Sequence, residues 1–216
     1  MILRDSFLTI TGPSEGIYKE KGSKFLAYAY AIEDESELDF YLELLHDEHP
    51  KARHYCYAYK LGLDQNRYRA NDDGEPSGTA GKPILGQILS YELTNLLIIV
   101  VRYFGGTKLG ASGLIQAYKE AAKEALQAAT IIEKYISVSY ILKFDYEHMG
   151  HIMNVLKETE AEITAKSFDD TCRVHISVRQ SQENQMFHRF KAKLLQKSME
   201  EVSADTVVDF CTIEID

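Results

Sequence analysis

Along the first 130 residues, the spacing of hydrophobic residues alternates between the period of a strand and the period of a helix. Segments in which every second residue is apolar predict strands, as does a continuous apolar run, and apolar residues three and four positions apart predict helices. The predicted strands are residues 7–11, 24–32, 53–62 and 96–101, and the predicted helices are residues 36–49, 85–91 and 114–129. Two glycine-rich loops, at 71–82 and 105–113, separate the later elements.

Strands and helices follow a different order after residue 134. The pattern predicts four strands, at residues 135–144, 162–168, 173–179 and 207–215, with one helix after the first strand and another after the third. This β-α-β-β-α-β order is that of the ferredoxin-like arrangement. The sequence therefore predicts an α+β protein with two domains, residues 1–133 and residues 134–216.

The composition is that of a protein that folds around a hydrophobic core. Of the 216 residues, 45% are hydrophobic and 26% are charged, which excludes the disordered classes. The longest apolar run, residues 96–101, is far shorter than the roughly 18 residues that a membrane-spanning helix needs, and the first residues do not resemble a signal peptide. We therefore expect a cytoplasmic protein with no membrane partner.

Three cysteines, Cys56, Cys172 and Cys211, occur without a Cys-x-x-Cys pair. Their odd number and spacing indicate neither a disulfide framework nor a zinc site. We assign no metal ligand and expect no cofactor.

Charge is distributed unevenly along the chain. The formal net charge is −9, which argues against attraction of the whole surface to nucleic acid. Residues 51–69, however, carry five basic residues against one carboxylate, whereas residues 33–48 hold eight carboxylates and no Lys or Arg. The basic segment predicts a contact with phosphates, and the acidic segment predicts a surface for a protein partner.

An alternation of tyrosines accompanies the basic segment. Tyr55, Tyr57 and Tyr59 fall on one face of the predicted strand, with Arg53, Arg67 and Arg69 nearby in the sequence. Aromatic rings in a row can stack on bases, and the neighbouring cations can bind phosphates. Alternatively, tyrosines at these positions are ordinary half-buried residues that cover a core.

Two loops concentrate residues that bind ions. Residues 71–81 contain Asp72, Asp73, Glu75 and Thr79 among glycines, which predicts a cation or phosphate site or, alternatively, the chemistry of a turn. In the second loop Arg102 and Lys108 flank Gly105 and Gly106 before a helix, an arrangement typical of phosphate binding. The glycines of this loop match neither the GxGxxG motif that binds dinucleotides nor the GxxxxGK(S/T) motif that binds mononucleotides.

A catalytic alternative arises from the same strand. His54 and Cys56 share the face opposite the tyrosines, and Asp73 or Glu75 could orient the imidazole. A thiolate, an imidazole and a carboxylate suffice for acyl transfer, which would make the protein a hydrolase or transferase. A buried histidine beside a small hydrophobic cysteine explains the same residues.

Three motifs in this order resemble the YigZ/IMPACT family. The motifs are Arg53-His54-x-Cys56-x-Ala58, Asp72-Asp73-Gly74-Glu75-Pro76-x-Gly78-Thr79-Ala80-Gly81-x-Pro83 and Val101-Arg102-Tyr103-Phe104-Gly105-Gly106-x-x-Leu109-Gly110. The resemblance implies an N-terminal domain similar to the second domain of ribosomal protein S5 and a ferredoxin-like C-terminal domain. This pair is similar to domains IV and V of elongation factor G, which implies a contact with RNA or the ribosome.

The family also suggests a biological role. Eukaryotic IMPACT regulates translation by blocking activation of a stress-responsive initiation-factor kinase, so the resemblance implies an RNA- or ribosome-binding regulator of translation without chemistry of its own. The residues in matching motif positions are His54, Asp73, Glu75, Thr79, Arg102, Tyr103, Gly105 and Gly106. A hydrolase or transferase that uses His54 and Cys56 remains the alternative.

Overall fold

A computed structural model describes residues 5–63, 66–203 and 205–216. The contacts within the chain divide these residues into two units. One unit is Phe7–Lys134, and the other comprises Tyr135–Asp216 together with Asp5 and Ser6. Each unit has its own sheet and its own hydrophobic core.

Five antiparallel strands form the main sheet of the first unit. They are β2 (Ser14–Glu20), β3 (Ser23–Ala31), β4 (His54–Lys60), β5 (Tyr68–Asn71) and β6 (Leu96–Tyr103). Their order in the sheet is β2-β3-β6-β4-β5, so β6 is the central strand. A separate two-stranded sheet pairs β1 (Ser6–Ile10) with β7 (Ile131–Tyr135).

Helices cover both faces of the five-stranded sheet. Helix α1 (Glu37–Glu48) packs on the face that carries the tyrosines of β3 and β4, and α2 (Gly81–Ser90) and α3 (Gly110–Ala128) pack on the opposite face. In β6, Leu97 and Ile99 contact the first layer, whereas Ile98 and Val100 contact the second. Burial on both faces explains why the sequence of this strand is apolar without alternation.

The second unit consists of β8 (Ser137–Phe144), α4 (Met149–Lys157), β9 (Glu162–Phe168), β10 (Cys172–Arg179), α5 (Glu183–Leu194) and β11 (Cys211–Ile215). The sheet order is β11-β8-β10-β9, with antiparallel neighbours. Apolar residues of both helices share one core with the sheet. The predicted α+β class and ferredoxin-like arrangement are confirmed.

The sequence pattern missed β2, β5 and β7 and placed the starts of α2 and α3 four residues too late. Strands β2 and β5 lie at the edges of the sheet, and β5 has no buried residue to produce an apolar alternation. The first turns of both helices contain glycine and other residues without a helical apolar period. Within the described residues, no helix is long and apolar enough to span a membrane.

A close approach between backbones determines how β2 packs on α3. A Cβ atom at Gly16 would lie 2.2 Å from the Ala125 nitrogen and 2.7 Å from the carbonyl carbon of Glu124. The facing stripe of α3 is rich in alanine, including Ala121 and Ala125, which are fully buried. Only glycine at position 16 allows this strand and helix to lie so close together.

We expect Gly16→Ala to lower the free energy of unfolding by about 3 kcal/mol, because the added methyl group forces β2 away from α3. Gly86→Ala in α2 is the matched control, since nothing lies within 4 Å of a Cβ atom at that position. This control should raise stability by up to about 1 kcal/mol, because alanine favours a helix. Urea denaturation measures both changes, and equal effects would contradict the close approach.

Candidate functional site

A cavity of about 710 Å³ opens in the first unit where β4 begins and β6 ends. The pairing of β4 with β6 places His54 directly opposite Arg102, and the loop after β5 and the start of α3 complete the wall. The lining residues are Lys51, Arg53, His54, Glu75, Pro76, Arg102, Tyr103, Phe104, Lys108, Leu109, Gly110, Ala111 and Leu114.

A buried ion pair joins two residues of this wall. Arg102 Nη1 donates to Glu75 Oε1 at 2.5 Å, and the two side chains are only 7% and 4% exposed. The hydroxyl of Tyr118, on α3, donates to the same carboxylate oxygen at 2.8 Å. The Cys56 sulfur lies 3.2 Å from that hydroxyl oxygen. The pair therefore connects the loop, the central strand and α3.

Asp72 fixes the loop that carries Glu75. Its carboxylate accepts the backbone N–H groups of Gly78 at 2.7 Å and of Ala80 and Gly81 at 2.9 Å, at the start of α2. Burial acts to raise the pKa of Asp72, but these three hydrogen bonds outweigh it and lower the pKa below its usual value. The ionised carboxylate therefore serves as a cap for the helix.

Asp73 holds His54 in one orientation. The Asp73 carboxylate accepts the Tyr55 N–H at 2.6 Å, and its carbonyl oxygen lies 2.8 Å from His54 Nδ1. A carbonyl oxygen can only accept a hydrogen bond, so Nδ1 carries a proton; in the tautomer that has this proton alone, Nε2 keeps a lone pair. No described residue forms a hydrogen bond with Nε2. His54 thus offers the cavity an acceptor.

Positive groups surround the same cavity. Lys51, Arg53 and Lys108 are exposed, and none of the three forms an ion pair with a described residue. Helix α3 begins in the wall at Gly110 without a hydrogen bond from a capping side chain. Its first N–H groups and the positive end of its dipole add to the potential of the cations. This arrangement suits an anionic ligand.

The Impact N-terminal domain model matches residues 21–126 of the chain. The IMPACT family member YvyE of Bacillus subtilis is 35% identical over 155 residues, which cover 72% of this chain and 71% of that protein. The chain belongs to the IMPACT family. The family member YigZ of Escherichia coli is 32% identical over 161 residues, covering 74% of this chain and 79% of YigZ.

A crystal structure of a hypothetical protein superposes on this IMPACT family protein with a TM-score of 0.68 and 29% identity. The alignment covers 90% of this chain and 93% of that chain. Every residue that lines the cavity lies within the range that the Impact N-terminal domain model matches.

The structure brings together six of the residues that the sequence singles out in this family member. They are Arg53, His54, Glu75, Arg102, Tyr103 and Lys108. The prediction that Arg102 contacts phosphates needs correction, because its guanidinium is buried against Glu75. Sequence analysis missed Tyr118, since it resembles an ordinary apolar position of a helix, and Phe104, although the third family motif contains it.

The prediction that Tyr55 and Tyr57 form a stacking surface is wrong. Both rings are buried in the layer between the sheet and α1. The Tyr55 hydroxyl donates to the His49 carbonyl oxygen at the end of α1 at 2.6 Å. The alternative explanation, that these tyrosines cover a core, is correct for this family member because a helix occupies their face of the sheet.

Arg67 and Arg69 do not line the cavity. Arg67 pairs with Asp34 at 3.6 Å, and the Arg69 guanidinium lies 6.0 Å from the centre of the Tyr57 ring. Residue 69 pairs with Tyr59, five positions along β4 from His54 and therefore roughly 16 Å from it along the strand. These two cations belong to another part of the surface.

Thr79, Gly105 and Gly106 have structural roles in the loops. The buried Thr79 hydroxyl donates to the Pro76 carbonyl oxygen at 2.6 Å. A Cβ atom at Gly105 would lie 2.0 Å from the carbonyl carbon of Gly22, so glycine permits this contact between turns. Gly106 has a φ of +89°, which favours glycine.

The alternative in which Cys56 acts as a nucleophile is also wrong. Its side chain is fully buried beside Tyr118, and burial raises the pKa of the thiol far above neutrality. The thiol therefore stays protonated, whereas a nucleophilic cysteine needs a thiolate. Among the residues that the structure describes, no group of three His, Cys, Asp or Glu side chains could hold a metal ion.

We expect the three thiols of the native protein to react slowly with Ellman's reagent at pH 7.5. All three are buried, and burial raises the pKa of Cys56 and takes that of Cys211 to about 12. Because a raised pKa keeps a thiol protonated below that pKa, the rate should be far lower than in urea, where three thiols react at once. Rapid labelling of Cys56 in the folded protein would restore the catalytic alternative.

Glu75→Ala should lower the free energy of unfolding by about 3 kcal/mol, because it leaves the buried Arg102 charge without its partner. Glu120→Ala is the matched control, since it removes the partly exposed pair of Glu120 with Lys123 and a hydrogen bond from Gln116; it should cost about 0.5 kcal/mol. Urea denaturation of both variants measures the difference. A cost for Glu75→Ala no greater than the control would mean that the buried pair does not organise the cavity.

Proposed function

We propose that this IMPACT family protein binds RNA, free or exposed on the ribosome, through the cavity of its first unit, and thereby regulates translation. The observation that supports the proposal is the cluster of Lys51, Arg53 and Lys108 around one opening in a chain of net charge −9. Exposed cations that cluster on an acidic protein concentrate positive potential at one place.

The geometry is compatible with the phosphates of a nucleic acid. Lysine and arginine side chains and the amides at a helix start are the groups that proteins use for phosphate oxygens. The three exposed cations come from two separate segments, residues 51–53 and residue 108, and both segments line the cavity. A chain of phosphates could contact both segments at once.

Family membership supports the link to translation. Eukaryotic IMPACT regulates translation, and the region of this chain that the Impact N-terminal domain model matches, residues 21–126, contains the whole cavity. If the protein regulates translation through RNA, we expect its RNA-binding residues to lie in the Impact N-terminal domain, which the family shares. We therefore propose that the protein acts in the cytoplasm, where ribosomes are found.

A protein partner is the second candidate, and the surface of α1 favours it. Phe40 and Leu44 are exposed on this helix among the carboxylates of residues 33–48. An apolar pair within an acidic surface suits a basic protein segment. Binding of such a partner would survive treatment with nuclease, whereas binding through RNA would not.

We expect the protein to sediment with purified bacterial ribosomes at low salt and to dissociate as salt rises. The variant Lys51→Ala, Arg53→Ala, Lys108→Ala should bind more weakly, and the slope of log affinity against log salt concentration should fall by about 2, because up to three phosphate contacts are lost. Arg102 is left unchanged because its substitution would disturb the buried pair.

The matched control is Lys119→Ala, Lys157→Ala, Lys166→Ala, which removes three exposed cations outside the cavity. This control should keep the affinity and the salt slope of the wild-type protein. In a cell-free translation reaction, the wild-type protein should change the yield, whereas the cavity variant should not. Absence of sedimentation at low salt, or an equal loss in both variants, would contradict the proposal.

A further inference from the structure

The cavity contains hydrogen-bond acceptors as well as cations. Phosphate oxygens can only accept hydrogen bonds, so they use the lysines, Arg53 and the amides of α3 but leave the acceptors without partners. A ligand that fits the whole wall must therefore also donate hydrogen bonds. This requirement goes beyond an electrostatic contact with a phosphate chain.

His54 Nε2 is the best defined of these acceptors. The ring cannot turn over without losing the 2.8 Å hydrogen bond from Nδ1 to the Asp73 carbonyl oxygen. Asp73 is itself held by Asn71 Oδ1, which accepts its N–H at 2.7 Å, and by the contact of its carboxylate with Tyr55 N–H. The acceptor is thus fixed in position before any ligand arrives.

Glu75 supplies a second acceptor in the wall. Both hydrogen bonds to its carboxylate, from Arg102 and from Tyr118, end on Oε1. Among the described residues nothing donates to Oε2. The Nε atom of Arg102 beside this carboxylate is buried and also has no hydrogen-bond partner among the described residues. A buried polar group without a partner requires an explanation, and an ion or water bound beside the pair would supply one.

An aromatic ring lies next to these polar groups. Phe104 is 58% exposed, and the Arg102 guanidinium lies 5.6 Å from the centre of its ring. An exposed ring beside cations is a surface on which a base can stack. The cavity volume of about 710 Å³ lies within the range of roughly 300–1,000 Å³ typical of small-ligand pockets.

We propose that the cavity binds one ribonucleotide unit of a single-stranded RNA and that His54 Nε2 accepts a hydrogen bond from its 2′-hydroxyl group. The phosphate contacts Lys51, Arg53 and Lys108, and the base stacks on Phe104. This inference rests on the proposed function and adds to it a selection of RNA over DNA, because DNA lacks the 2′-hydroxyl group that would donate to His54.

The test compares fluorescein-labelled oligonucleotides of twelve uridines that differ only at the 2′ position. Fluorescence anisotropy should show about tenfold tighter binding of the RNA than of the 2′-deoxyuridine oligonucleotide, which corresponds to the loss of one hydrogen bond. The 2′-fluoro oligonucleotide, which keeps a small polar substituent but cannot donate, should bind as weakly as the DNA.

His54→Phe should reduce RNA affinity to the DNA level and leave DNA affinity unchanged. His46→Phe is the matched control, because it makes the same substitution at an exposed histidine of the first unit outside the cavity; it should keep the preference for RNA. The 2′-fluoro comparison uses the wild-type protein, so it remains decisive if His54→Phe does not fold.

The outcomes separate this inference from the proposed function. If RNA, 2′-fluoro RNA and DNA bind equally and the triple cavity variant weakens all three, recognition of the 2′-hydroxyl is wrong while phosphate binding stands. If no oligonucleotide binds and no ribosome sedimentation occurs, both proposals are overturned. A preference for RNA that persists in His54→Phe would assign the discrimination to another residue and overturn the role of His54.

Discussion

The buried ion pair of Glu75 and Arg102 is the interaction on which the site depends. It joins a loop to the central strand of the sheet, and Tyr118 extends it to α3. Charges taken out of water are tolerated only when their geometry is good, so the three elements must meet in one arrangement. The cavity is the space left between them, and its shape follows from this constraint.

The three acidic residues of the loop at 71–82, Asp72, Asp73 and Glu75, have different structural roles. Asp72 caps α2, and Glu75 neutralises Arg102. The Asp73 carboxylate accepts the Tyr55 N–H of β4, and its backbone carbonyl oxygen orients His54. All three carboxylates accept hydrogen bonds within the protein, although their density in the sequence suggests a cation site. Because Glu75 pairs with the buried Arg102, the exposed cations Lys51, Arg53 and Lys108 supply the positive charge that a ligand meets at the cavity.

Local patterns were sufficient for most of the fold but for only part of the site. The periods of hydrophobic residues located the central strand and the helices, and the element order after residue 134 identified the ferredoxin-like unit. The family motifs pointed to His54 and Arg102. The pattern could not show that α1 covers the tyrosines, because a strand with two buried faces and a strand with one exposed aromatic face have similar sequences. Nor could it show that the partner of Arg102 lies 27 positions away.

The order of strands in the first unit also has a consequence for synthesis of the chain. The central strand β6 is the last of the five to leave the ribosome, after both of its neighbours, β3 and β4. The hairpins β2-β3 and β4-β5 pair residues close in sequence and can form early, but each keeps an open edge until β6 inserts between them. In the nascent chain the first hairpin therefore waits from residue 31, and the second from residue 71, until β6 begins at residue 96. The ligand cavity can appear only after β6 and the first turn of α3 have emerged.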